Sequence, residues 1–133
     1  MGKIEKYLGL DYGKSKIGLA IADSEIRIAF TYSTIDNNKH FFDVLGKILE
    51  IEEINKIIIG KLDMPGAGKK TFEAENIGEK IKKEFSIEIE YHEEMFSTKM
   101  AEGNLKEKGV KKIKKLDNQE AAKIILQSWL DKN

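Results

Sequence analysis

The chain has no cysteine, a single proline, two histidines and, across 133 residues, no net charge at neutral pH. Without cysteine there is no disulfide framework and no thiolate metal site, so a bound metal must be held by oxygen or histidine. No apolar run approaches the ~20 residues of a membrane-spanning helix. The opening Met1-Gly2-Lys3-Ile4-Glu5-Lys6 lacks an apolar signal core, and Lys6 stands where N-myristoylation wants Ser or Thr. The expectation is a cytoplasmic protein with no membrane partner. Neutrality also argues against the all-over basic coat of a general nucleic-acid binder. His40 and His92 lie far apart with no ligand spacing, so neither is expected to hold a metal.

What is present describes an ordinary globule. With 41% apolar and 35% charged residues, the length suits a single domain over residues 1–133, one able to bury roughly two thirds of its unfolded surface. Charge is uneven locally. Residues 102–115 carry six lysines (Lys106, Lys108, Lys111, Lys112, Lys114 and Lys115) against two glutamates, whereas 84–94 carry five glutamates and no Lys or Arg. Adjacent basic and acidic tracts suit a nuclease, with cations for the backbone and carboxylates for metals. A solvated helix face after a polar edge strand accounts for the same charges.

The most informative residue is Asp11. It ends the apolar run Tyr7-Leu8-Gly9-Leu10 and is followed at once by a glycine-bearing hairpin, Tyr12-Gly13-Lys14-Ser15-Lys16-Ile17-Gly18. A carboxylate at the tip of a buried strand is costly to desolvate unless something compensates it, and a cation is the usual compensator. The return strand places the acid on a rigid hairpin rather than a mobile loop.

Three β runs come first, over 4–11, 16–23 and 26–34, all rich in β-branched and aromatic residues. Asp36-Asn37-Asn38 then predicts the cap of a helix over 38–53, with Phe41, Leu45, Ile48 and Leu49 at helical spacing. Ile57-Ile58-Ile59 before Gly60 reads as a buried parallel strand. A loop over 61–70 holds Pro65, Gly66 and Gly68. A helix over 71–85, an alternating strand over 87–91, a short helix over 99–108 and a last helix from Asp117 complete the order βββαβαβαα. Its core face holds Trp129. The predicted fold class is α/β, a five-stranded mixed sheet with helices on its faces.

Ligands of open α/β sheets bind at the carboxyl ends of parallel strands. If strands one, four and five are parallel, Asp11 and the Glu93-Glu94 pair meet at one edge, and the helix opening at Asp117 brings a third acid there. Asp11, Glu94 and Asp117 are therefore the candidate catalytic and metal-binding residues. Oxygen-only donors suit Mg²⁺ or Mn²⁺, and two such ions ~3.5–4 Å apart serve phosphodiester hydrolysis by an activated water. Asp117 with Glu120 also reads as a capping box.

These residues carry a resemblance. Tyr7-Leu8-Gly9-Leu10-Asp11-Tyr12-Gly13 with Lys16-Ile17-Gly18-Leu19-Ala20-Ile21-Ala22-Asp23 resembles the opening of the YqgF/RuvX-like family. Ile57-Ile58-Ile59-Gly60, Glu93-Glu94-Met95-Phe96-Ser97-Thr98 and the run from Ala121 to Leu130 resemble its later motifs in order and spacing. The resemblance implies an RNase H-like fold and a metal-dependent nuclease. The family was first labelled as Holliday junction resolvases by similarity to RuvC, and later assigned to maturation of the 5′ end of 16S ribosomal RNA. Its three acids carry over onto Asp11, Glu94 and an acid opening the final helix.

The chain departs from the family pattern in places. Glu93 replaces an Asp, and Met95 replaces an Arg that would be a bidentate phosphate donor. Counting back from Ala121-Ala122, the family's last Asp falls on Asn118. Either a shift of one residue makes Asp117 the ligand, the reading adopted here, or the third acid is missing and activity is weakened. The leading expectation is a nuclease on structured RNA, a monomer in preference to an oligomer. Its phosphate contacts would be Lys106, Lys108, Lys111, Lys112, Lys114 and Lys115, assisted by Lys69 and Lys70 on the glycine-bearing loop. Alternatives are cleavage of branched DNA, which needs paired active sites, and a catalytically weakened RNA-binding or ribosome-assembly protein of the same fold. A phosphate-cradling ATPase of the actin type requires two lobes, and this length provides one.

Overall fold

The computed structural model describes residues 3–61, 68–93 and 117–133. Among them are strands β1 (Lys6–Asp11), β2 (Lys16–Asp23), β3 (Phe30–Asp36), β4 (Lys56–Lys61) and β5 (Glu88–Glu93), with helices α1 (Phe41–Ile51), α2 (Gly68–Phe85) and α3 (Asn118–Lys132). The helix predicted over 99–108 lies outside the described residues. The strands form one sheet in the order β3-β2-β1-β4-β5. β1 is antiparallel to β2, and β2 to β3, while β1, β4 and β5 are mutually parallel. The carboxyl ends of β1, β4 and β5 therefore share one edge, as the sequence predicts.

Strand alternation divides the buried side chains between two faces. Leu8, Leu10, Ile17, Leu19, Ile57 and Ile59 pack with Phe41, Leu45 and Ile48 of α1 and Ile77 and Ile81 of α2. Tyr7, Ala20, Ala22 and Ile58 face Ala122, Ile125, Leu126, Trp129 and Leu130 of α3. The second face is paved with small residues, so α3 rides low. A Cβ added to Gly9 would stand 2.8 Å from the Ala122 carbonyl oxygen and from Leu126 Cβ, closer than side chains pack. The end of α3 is pinned through Trp129, whose Nε1 donates to Glu90 at 3.0 Å and whose ring meets Tyr7 edge-on at 5.0 Å. Lys56 Nζ lies 2.8 Å from the Glu88 carboxylate and 2.5 Å from that of Glu90.

Three expectations need correction. β3 starts at Phe30 rather than near Ile26. Asp23 Oδ1 accepts from the N–H groups of Glu25 (3.0 Å) and Ile26 (2.7 Å), and Arg27 takes a left-handed φ of 59°. That side-chain turn breaks a segment whose Ile26 and Ile28 otherwise favour a strand. Next, α1 begins at Phe41: Asp36 stays in β3, paired with Lys16, and Asn38 Oδ1 accepts from His40 N at 2.8 Å in a turn before the helix. Finally, Gly68 to Lys70 belong to the first turn of α2, so Lys69 and Lys70 sit on a helix rather than a loop.

Candidate active site

Asp11 closes β1 and pairs with Gly18 of β2. Alternation puts its carboxylate on the face of Tyr7 and Gly9, the face that carries α3. Gly18 lies opposite Thr34 of β3, and Gly60, which follows the Leu10–Ile59 pair, lies opposite His92 of β5. A single row thus crosses the sheet near its carboxyl edge: Thr34, Gly18, Asp11, Gly60, His92.

α3 enters this row at Gly18. A Cβ on Gly18 would overlap the backbone carbonyl of Asn118 and stand 2.8 Å from the backbone nitrogen of Gln119. The absence of a side chain lets the first turn of α3 settle one strand spacing, ~5 Å, from the backbone of Asp11. Asp117 is the N-cap of α3 by backbone geometry (φ −51°, ψ 143°), yet its side chain makes no capping hydrogen bond. The predicted capping box is therefore not formed, and the Asp117 carboxylate is not engaged by its own helix. Both described acids of the predicted set, Asp11 and Asp117, thus come to one corner of the sheet.

The hairpin bearing Asp11 is braced from β3. Asn37 Nδ2 donates to the Gly13 carbonyl at 2.7 Å, Asn37 N donates to the Ser15 carbonyl at 2.9 Å, and Lys16 pairs with Asp36. The turn is tight at Gly13, where a Cβ would come within 2.5 Å of the Lys16 carbonyl oxygen. These bonds tie the hairpin to the connection after β3.

The second acid is less completely described. Glu93 ends β5 at the same edge and is exposed. Tyr91 donates to the Glu75 carbonyl of α2 and Glu90 accepts from Trp129 of α3, so alternation assigns Glu93 to the α2 side, away from Asp11. Glu94 lies outside the described residues, as do Lys106, Lys108, Lys111, Lys112, Lys114 and Lys115. Among the described residues no group of three or more Asp, Glu or His is arranged to hold a metal ion.

His92 is the residue that sequence reasoning passed over. It is 7% exposed and the one buried polar or charged side chain among the described residues. Burial pushes its imidazole below the ordinary range, Lys132 adds to this and Glu93 opposes it. Its Nε2 and Thr34 Oγ1 are the buried side-chain polar atoms without a hydrogen-bond partner among the described residues, and both lie on the row of Asp11. Two strand spacings, ~10 Å, separate His92 from Asp11, with Ile125 seated over Gly60 between them. His92 and Asp11 therefore lie two strands apart on one face of the sheet, where the His92 side chain is buried. The signal for its burial was the alternation Glu88, Glu90, His92 on one face of β5.

Comparison with known proteins places the chain. Residues 5–132 match the model of the RuvX family, described as Holliday junction resolvase. The chain belongs to the RuvX family. A relative from Maridesulfovibrio salexigens is 35% identical over 94% of this chain and 97% of its own length, and one from Caldicellulosiruptor bescii is 36% identical over 95% and 96%. Both carry the name "Putative pre-16S rRNA nuclease". Among solved structures, RuvC of T. thermophilus in complex with a Holliday junction substrate aligns with TM-score 0.59 at 12% identity, covering 95% of this chain and 93% of that one. The fold is RNase H-like. No helix among the described residues is long and apolar enough to cross a membrane.

Proposed function

We propose that this RuvX-family chain is a divalent-metal-dependent nuclease that hydrolyses phosphodiester bonds in structured RNA, acting in 5′-end maturation of the 16S precursor. The observation that carries this reading is the seating of the first turn of α3 on Gly18, beside Asp11. It brings two acids far apart in sequence to one corner, at the edge where open α/β sheets bind ligands.

The donors fit a hard cation. Asp11 and Asp117 offer only oxygen, and with Glu93 on the other face, Glu94 is the acid of the β5 pair assigned to complete the set. These three would hold Mg²⁺ or Mn²⁺. When bound, such ions lower the pKa of a water and offset charge on the attacking and leaving oxygens of the phosphodiester. The protein's own contribution is positional. The braced hairpin fixes Asp11, the first turn of α3 fixes Asp117, and Lys106 to Lys115 with Lys69 and Lys70 supply charge for the polyanion. The names of the relatives support RNA as substrate, and a cytoplasmic site of action belongs to the same proposal.

A second reading, cleavage of branched DNA, is favoured by the fold shared with the junction-bound RuvC. One experiment separates the two: labelled 16S precursor and a four-way junction are incubated side by side with Mn²⁺ and with chelator. Cleavage of the precursor alone, abolished by chelator, supports the proposal. Symmetrical cutting of the junction alone would replace it, and cleavage persisting in chelator would remove the metal.

A further inference from the structure

The large apolar side chains exposed among the described residues all come from one half of the fold. Ile4, Ile26, Ile28, Phe30, Val44 and Ile51 lie in β3, in α1 or in the segments leading into β1 and β3, and none lies in β4, α2, β5 or α3. Phe30 stands opposite Ile21, which packs toward α1, so Phe30 is on the α1 face. Tyr32 donates to Glu52 at 3.0 Å, which brings the last turn of α1, with Ile51, beside the first half of β3. Val44 is two turns earlier on the same flank of α1. Tyr32 and Ile35, partly buried, fill the seam between strand and helix.

β3 is an outer strand, with β2 on one side and no described strand on the other. Outer strands are usually blunted by lysine, proline or a bulge. β3 has neither lysine nor proline, and its one interruption is a bulge at Tyr32, where Leu19 and Ala20 pair with Ser33 and Thr31. Its charges are already balanced within the chain: Asp36 pairs with Lys16, and Glu52 with Lys6 at 3.6 Å. The other outer strand, β5, carries Glu88, Glu90 and Glu93, so pairing it with its own copy would bring like charges together.

We infer that β3 is a self-association edge: it pairs antiparallel with β3 of a second copy of this chain, about a two-fold axis normal to the sheet, and the two α1 flanks close over the seam. This departs from the monomer expected from sequence. Covering the exposed part of a side chain such as Phe30 removes ~100 Å² from water. Ile26, Ile28, Phe30 and Ile51, each more than half exposed, thus supply about half of the ~800 Å² per copy of a stable interface, and the backbone edge of β3 with Val44, Tyr32 and Ile35 adds to it. Lys47 is exposed on the same flank; its stem lies along apolar neighbours while its head stays in water. Such an axis keeps both Asp11 corners on one face of a continuous sheet, five strand spacings or ~24 Å apart across the strands. The inference rests on this surface alone and holds whichever nucleic acid the site takes.

The test is sedimentation velocity of the full chain over a concentration series, without nucleic acid. A dimer of micromolar or tighter affinity is expected. Phe30→Lys with Ile51→Lys places like charges across the axis and should weaken association by ~100-fold or more. Glu79→Lys, at an exposed position of α2, adds the same charge and should leave the dimer unchanged. Thermal midpoints of the monomeric variant within a few degrees of the parent check that the exposed substitutions leave the fold intact. A monomer at every concentration, a dimer indifferent to the Phe30 and Ile51 changes, equal weakening by Glu79→Lys, or open chains that lengthen with concentration would each overturn the inference and leave the nuclease reading untouched.

Discussion

The two faces of the sheet solve different problems. The face under α1 and α2 is filled by Leu8, Leu10, Ile17, Leu19, Ile57 and Ile59, large side chains that hold two helices off the strands. The face under α3 offers Gly9, Gly18, Ala20, Ala22 and Gly60, and the helix lies almost on the backbone. Volume on the first face stabilises the domain. Its absence on the second brings a helix N-terminus beside Asp11. Substitutions should therefore separate stability from catalysis according to face.

Gly18→Val should have the largest effect on chemistry. Its side chain would overlap the Asn118 carbonyl, and backbone atoms cannot give way as a flexible side chain can. The first turn of α3 must lift, so cleavage should fall at least a hundredfold, with a stability loss of about 1–3 kcal/mol; activity per folded molecule, set against a urea melt, checks both. Leu10→Ala, one residue from Asp11 on the opposite face, should reverse the pattern. It should cost about 2–5 kcal/mol of stability yet leave activity per folded molecule within a few-fold.

That contrast shows what was legible from sequence. The strands of β1, β2, β4 and β5 follow from periodicity and turn residues, and Asp11 from the cost of an acid at the end of an apolar run. Gly18 was visible only as part of a motif, because its role depends on a backbone carbonyl 100 residues away in the chain. Asp117 was ambiguous between cap and ligand. Only geometry shows that its side chain does not cap. Ile26 and Ile28 misled because a side-chain turn from Asp23 outcompeted their strand preference.

A smaller effect concerns how α3 is pinned. Hydrogen bonding from Lys56 lowers the Glu90 carboxyl below its ordinary value, with Trp129 helping and burial opposing. A depressed folded-state pKa gives stability that is present above the unfolded value, 4.5, and lost as pH falls through the folded one. Glu90→Gln should lower the stability at neutral pH and flatten its loss on acidification below that pH, read from thermal midpoints across pH 2–7. Smaller still, Asn37→Ala should loosen the hairpin brace, lowering cleavage several-fold with under ~1 kcal/mol lost per bond removed.

The central claim is that Asp11 and the residue opening α3 act together in metal-supported hydrolysis. Its most direct test is Mn²⁺-dependent cleavage of labelled 16S precursor by Asp11→Asn, Asp117→Asn and Asn118→Ala proteins beside the wild type. The account predicts losses of two or more orders of magnitude in the first two with RNA binding retained, and at most a few-fold loss in the third. Full-rate cleavage by the Asp11→Asn protein would contradict it.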